Sequence, residues 1–171
     1  LSFGTEATKF ESALKDIGEL LGYISQRPDK EIRKGPDNLW CGSNNYYLLF
    51  EYKSEVSETR QEITKHEAGQ MNNHCAWFED QYGQDAKTDR FMIIPTKNLS
   101  YEGDFTHDVR IIRRNRLKSL KDQIKGFVKE LKPYSLDELS DTTLQELLAL
   151  HHLNIEDFSA QYSEEYYHKA K

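Results

Sequence analysis

Tyr46-Tyr47-Leu48-Leu49-Phe50-Glu51-Tyr52-Lys53 is a nearly unbroken apolar run that ends in a carboxylate and an ammonium, and Gly35-Pro36-Asp37 lies shortly before it. An apolar run of this length predicts a strand buried on both faces, in the middle of a sheet. Side chains on a strand alternate faces with period two. Glu51 and Lys53 therefore share a face at the strand's C-terminal end, and Tyr52 points the other way. An aspartate brought back beside Glu51 makes a pair of carboxylates, which can hold a divalent cation through oxygen. The nearby ammonium can orient a water or offset charge on a phosphate.

Outward from this run the pattern alternates. Phe10, Leu14, Ile17 and Leu21 give one apolar stripe, predicting a helix over residues 5 to 21 that stops at Gly22. Residues 25 to 36 read as a charged loop with two prolines, and residues 39 to 41 as a short strand. Residues 57 to 82 read as a helix carrying Ile63, Ala68, Met71, Cys75 and Phe78 on an imperfect stripe. Residues 91 to 94 form an apolar strand stopped by Pro95, and residues 109 to 112 a shorter one. Asn115 is the expected N-cap of a helix to about residue 131, with Leu117, Leu120, Ile124, Phe127 and Val128 on its apolar face. After Pro133, Ser135 or Asp141 can cap one short helix and Asn154 another. The order implies an α/β fold, a small mixed sheet flanked by helices, with a helical C-terminal extension. The expected division is residues 1–132 and 133–171.

The chain has 171 residues, 37% hydrophobic and 30% charged, enough for one domain with a core. No apolar run approaches the roughly 20 residues of a membrane span, and no signal peptide is visible. A start at Leu1 suggests processing or a piece of a longer protein. Cys41 and Cys75 lack CxxC partners, which fits a reducing compartment rather than structural zinc or a disulfide framework. The net charge of -6 is uneven: residues 110 to 132 hold nine Lys or Arg against Asp122 and Glu130, and eight acids follow Pro133. The basic stripe is a candidate phosphate-binding surface, and its bland alternative is a solvated helix face.

The order and spacing resemble the PD-(D/E)xK, or restriction-endonuclease-like, nuclease superfamily. Pro36-Asp37 stands for PD, and Glu51-Tyr52-Lys53, with thirteen residues between the two, for (D/E)xK. Gly-Pro-Asp-Asn-Leu-Trp, then Glu-x-Lys, then Lys65-x-Glu67-x-x-Gln70 with Trp77 following, is similar to the nuclease domain fused C-terminally to bacterial DEAD/DEAH-type helicases of antiviral defence. The resemblance covers residues 4 to 131. It implies a Mg²⁺-dependent endonuclease, with Mn²⁺ as substitute, acting on DNA, with RNA left open. The cation would be held by Asp37, Glu51 and the carbonyl of Tyr52, with Lys53 at the scissile phosphate. Glu11 and Gln70 would support them, although periodicity alone favours Glu6 over Glu11. Lys65, Arg113, Arg114, Arg116 and Lys118 are the candidate nucleic-acid contacts. A fused or associated helicase, a homodimer and a bacterial cytoplasm are the implied context, with no membrane.

Each site residue has a plainer reading. Asp37 can be a turn residue after proline, and Glu51 with Lys53 an ion pair at a strand end. His66, His74, His151 and His152 offer a rival metal site, but their spacing matches no compact ligand pattern. Cys75 falls on an apolar stripe, as a core residue would. The competing function is an inactive module that keeps the fold and serves nucleic-acid binding or protein docking.

Overall fold

The computed structural model describes residues 1–53, 59–135, 137 and 139–168. The apolar run from Tyr47 to Tyr52 forms β3 (Tyr47–Tyr52), and all but its first residue are buried. It lies inside a six-stranded mixed sheet of order β1-β2-β3-β4-β6-β7. β1 (Ile24–Gln26) and β2 (Asn38–Cys41) run antiparallel to their neighbours. β4 (Thr88–Ile93) and β6 (Arg110–Ile112) continue parallel to β3. β7 (Glu164–Glu165) closes the far edge antiparallel to β6. A two-stranded ladder joins β5 (Asn98–Leu99) to β8 (Tyr167–His168).

The pleat of β3 sorts the core into two layers. Leu48, Phe50 and Tyr52 face one side, with Phe91, Ile93 and Ile112. That side is covered by α1 (Ala7–Leu20) and α4 (Arg114–Leu131), together with α5 (Asp141–Leu150) and α6 (Ile155–Tyr162). Leu49, Met92 and Ile111 face the other side, which α3 (Lys65–Tyr82) covers with Ala68, Met71, Cys75 and Phe78. The parallel crossover from β3 to β4 needs a helix, and α3 is that helix. The outcome is a helix–sheet–helix sandwich, mixed α/β as the element order implies.

Several boundaries differ from the sequence reading, each for a local reason. The expected loop over residues 25 to 36 holds the end of β1 and a short helix α2 (Pro28–Ile32), begun by a proline at its first position. The helix expected from Ser57 starts only at Lys65, because Thr64 caps it: the Thr64 hydroxyl accepts from Glu67 N, and the Glu67 carboxylate accepts from Thr64 N at 2.9 Å. Ser57 itself lies outside the described residues. α4 begins two residues early, with Arg113 rather than Asn115 at the cap position. The segment after Pro133 is helical in α5 and α6, but it also supplies β7 and β8.

That segment is built into the core. Phe158 is fully buried, its ring 5.7 Å from Trp40, 5.8 Å from Phe50 and 5.5 Å from Phe91. Tyr23 donates its hydroxyl hydrogen to the Leu153 carbonyl at 2.8 Å, and Tyr162 to the His151 carbonyl at 2.8 Å. Glu164 takes both Arg113 Nε, and Nη2 at 3.0 Å. These contacts bind the last quarter of the chain to the sheet.

Two stability tests follow from the tail. Phe158→Ala should cost about 3–5 kcal/mol in a urea denaturation, the usual loss for a buried phenylalanine. The Arg113 guanidinium holds the Glu164 carboxyl below its ordinary value of 4.5. A lowered carboxylate stabilises above its unfolded pKa and loses that contribution as pH falls through the folded value. Wild type should therefore be more stable than Glu164→Gln above about pH 4.5, with the difference closing on acidification.

Candidate active site

The parallel strands β3, β4 and β6 end together, Lys53 N bonding to the Ile93 carbonyl at 3.1 Å and Ile94 N to the Ile112 carbonyl at 3.3 Å. Asp37, Glu51, Lys53 and Gln70 meet at this carboxyl end. The pleat puts Glu51 on the same side of β3 as Leu49, against α3. Its carboxylate is only 3% exposed. Lys53 Nζ reaches Glu51 Oε1 at 2.6 Å and Gln70 Oε1 at 2.7 Å. Tyr52 turns to the other face and stacks on Phe10, the ring centroids 3.6 Å apart.

Asp37 arrives from the β2 side. Gly35 adopts φ +87° in the left-handed region, and a Cβ there would fall 2.7 Å from the Trp77 ring of α3. The Pro36 carbonyl accepts from Asp29 N of α2 at 3.2 Å. This double constraint aims the next side chain at the end of β3, where Asp37 Oδ2 accepts from Tyr52 N at 2.6 Å. Asp37 is thus a backbone anchor as well as a charge. Burial and the Glu51 carboxylate push its pKa up to about 7, with a smaller push from Glu11; the Tyr52 amide and Lys53 pull the other way.

His74 also enters the site, and the sequence reading had set it aside. Its Nδ1 lies 2.7 Å from Glu51 Oε2. Both atoms are buried, and the contact is an ion pair when the imidazole is protonated. Burial pushes the Glu51 carboxyl up, but His74 and Lys53 outweigh it and hold the group below its ordinary value. Burial lowers His74, and the Glu51 carboxylate more than reverses it. One signal was present in the sequence: Gln70 and His74 are four apart and share a helix face.

Glu11 lies on α1, its carboxylate paired with Arg27 and its carbonyl accepting from Asn38 Nδ2 at 3.0 Å. It contributes to the negative field at Asp37 while its charge is balanced by arginine. The expected nucleic-acid contacts do not converge. Lys65 lines an open cavity of about 530 Å³ with His66, Gly69, Gln70 and Asn73, beside the site. Arg114 and Lys118 line another with Leu1, Ser2 and Phe3, on the α4 side of the sheet. Arg113 is held by Glu164, and Arg116 donates to the Gln161 carbonyl at 3.1 Å.

The remaining reactive residues are placed elsewhere. Cys75 is buried, and burial pushes its thiol up to about 11, away from nucleophilic use. Cys41 and Cys75 are both free thiols. His151 sits between Gln123 and Glu130, at 3.0 and 3.2 Å. Among the described residues no group of three or more His, Cys, Asp or Glu could hold a metal ion. Magnesium asks for less, one or two carboxylates with water completing the shell. Asp37 and Glu51 fit that need: two crowded carboxylates, with Asp37 raised by burial and by its neighbour, are what a hard cation relieves.

Comparison with family models, with curated proteins and with solved structures returns no match. Among the described residues no helix is long and apolar enough to cross a membrane.

Gly35 offers a test of how the site is aimed. Gly35→Ala adds a Cβ against Trp77 at an unfavourable φ and should destabilise the fold by about 1–3 kcal/mol. Thermal denaturation followed by tryptophan fluorescence measures the loss, and Gly83→Ala, where φ is +88° with nothing near, isolates the φ contribution.

Proposed function

We propose that the chain is a divalent-metal-dependent nuclease of the PD-(D/E)xK kind that hydrolyses phosphodiester bonds, with DNA as the favoured substrate. The observation that carries this reading is the meeting of Asp37, Glu51 and Lys53 at the end of β3, with Lys53 pinned at 2.6 Å and 2.7 Å by Glu51 and Gln70. The sequence pattern supports a place beside a helicase in antiviral defence.

Each residue has a stated job. Asp37 and Glu51 hold the magnesium or manganese ion, with the Tyr52 carbonyl as the third protein oxygen. When bound, the ion stabilises charge on the phosphate and makes water a better nucleophile near neutral pH. Lys53 is held by two acceptors, so its remaining N–H is directed rather than free to wander. It donates that hydrogen to a phosphate oxygen and offsets the charge that builds there. Gln70 and His74 keep Lys53 and Glu51 in position from α3. Glu11 adds to the field that attracts the cation, and Arg27 limits its cost. Lys65, on the rim next to Gln70, and Lys118 with Arg114 on the α4 side, attract the phosphate backbone without reading bases.

Glu51 is buried, so its test must keep shape. Asp37→Asn preserves an oxygen for the Tyr52 amide and removes the charge. Asp37→Asn and Lys53→Met should each lower magnesium-dependent cleavage of a DNA substrate by about a hundredfold or more. Calorimetry should show weaker magnesium binding by Asp37→Asn, with circular dichroism unchanged. Cleavage by pure Asp37→Asn at the wild-type rate would overturn the assignment.

A further inference from the structure

A second cavity near the carboxyl end of the parallel strands lies outside the Asp37–Glu51–Lys53 cluster. It has a volume of about 540 Å³, within the range of small-ligand sites, and its lining includes Arg60, Thr96, Lys97, Asn98, Arg113 and Tyr167. Among the described residues three cations line it and no carboxylate does. Two carboxylates behind the wall serve these cations. Glu67 takes Arg60, at 2.9 Å, and Glu164 is shared by Arg113 and by Lys97, the latter at 3.7 Å. Among the described residues three positive charges stand against two negative, and Lys97 is the loosely held member.

Tyr167 is the second observation. Its side chain is exposed, at 59%, yet its backbone is fixed. Tyr167 N donates to the Lys97 carbonyl at 2.8 Å, and β8 pairs Tyr167 with Asn98. The opposite wall is equally fixed, since Thr96 Oγ1 and Asn98 Nδ2 both donate to the Gln61 carbonyl, at 3.0 and 3.2 Å. An exposed aromatic ring on a fixed backbone at the rim of a cationic cavity offers a stacking face beside a phosphate site. A nucleoside phosphate has that combination, a planar base and an anion.

Position supplies the source of the ligand. Arg113 follows directly on β6, and Pro95 lies just past β4. β3, on which Glu51 and Lys53 sit, is two strand spacings from β6, about 10 Å. That is roughly three nucleotides of a stacked strand. We propose that this cavity binds one nucleotide of a single-stranded segment, its phosphate on Lys97 and Arg113 and its base on Tyr167, about three nucleotides from the phosphate at Lys53. The nuclease reading is needed only for what happens at Lys53, so binding can be measured apart from it. The fold-back of the acidic tail then has a use: β8 delivers the stacking residue to the substrate edge.

The test is binding of a fluorescent eight-nucleotide single-stranded DNA to the full chain in EDTA, where a metal-dependent cut does not occur. Tyr167→Ala should weaken binding by about 5- to 150-fold, the span reported for loss of one base stack. Tyr167→Phe should bind as wild type does. Lys97→Gln should weaken binding and reduce its salt dependence by about 0.7 of a log-log unit for the lost contact. Thermal melting should be unchanged for Tyr167→Ala, since the ring is exposed. Affinity within twofold of wild type for both Tyr167→Ala and Lys97→Gln would overturn the proposal. Equal affinity for dTMP and the oligonucleotide would overturn the strand assignment and make the cavity a free-nucleotide site. If the cavity variants lose binding and wild type still fails to cut in magnesium, the nuclease reading fails and the cavity stands. If wild type cuts and the variants bind normally, the cavity fails and the nuclease reading stands.

Discussion

Glu51 is a carboxylate at the end of a strand that is otherwise apolar, and taking such a charge out of water is costly unless it is paired. Two basic groups meet that cost from two directions, Lys53 two residues along the same strand and His74, its pKa raised by Glu51, from α3. The arrangement fixes more than one side chain. It ties the tip of β3 to α3, orients Lys53 toward Gln70, and places a concentrated negative field next to Asp37. Removing either basic group leaves the other to compensate a charge that cannot reach solvent. The site and the fold therefore share one electrostatic constraint.

Asp37 shows the same sharing on the β2 side. Its hydrogen bond from Tyr52 N stitches the loop before β2 to the end of β3, while Tyr52 itself packs its ring on Phe10 of α1. The line Gly35, Asp37, Tyr52, Phe10 crosses the sheet from Trp77 on α3 to α1. A charged side chain at the candidate site also locks three elements, so a change there alters shape as well as charge.

The centre of this fold was legible because its signal is dense. The run from Tyr46 to Phe50 can only be a buried strand, period two then puts Glu51 with Lys53, and the stripes of α1 and α4 follow from their spacing. What escaped was short or nonlocal. β1 has three residues and α2 five, too few for a period to show, so both vanished into an apparent loop. β7 and β8 have two residues each and exist only because β6 and β5 offer edges. The start of α3 was missed because the apolar stripe reached Ile63, which bridges to Leu99 instead of entering the helix. His74 was weighed for zinc with the other histidines, when its meaning lay in the i, i+4 relation to Gln70. The tail read as an acidic appendage because charge dominated its composition, although Phe158 and Tyr162 were the residues that mattered to the core.

The closing of β6 by β7 has a consequence for synthesis. β6 ends at Ile112, and its edge partner begins at Glu164, about fifty residues later along the chain. While those residues are being made, a strand rich in isoleucine presents unpaired amides and carbonyls beside an aromatic cluster still missing Phe158. The growing polypeptide is thus sticky for as long as α4, α5 and α6 take to emerge, several seconds at ordinary translation rates of roughly 5–20 residues per second. A holding chaperone, or a fast-forming α4 packed over the sheet, would shield the chain in that interval.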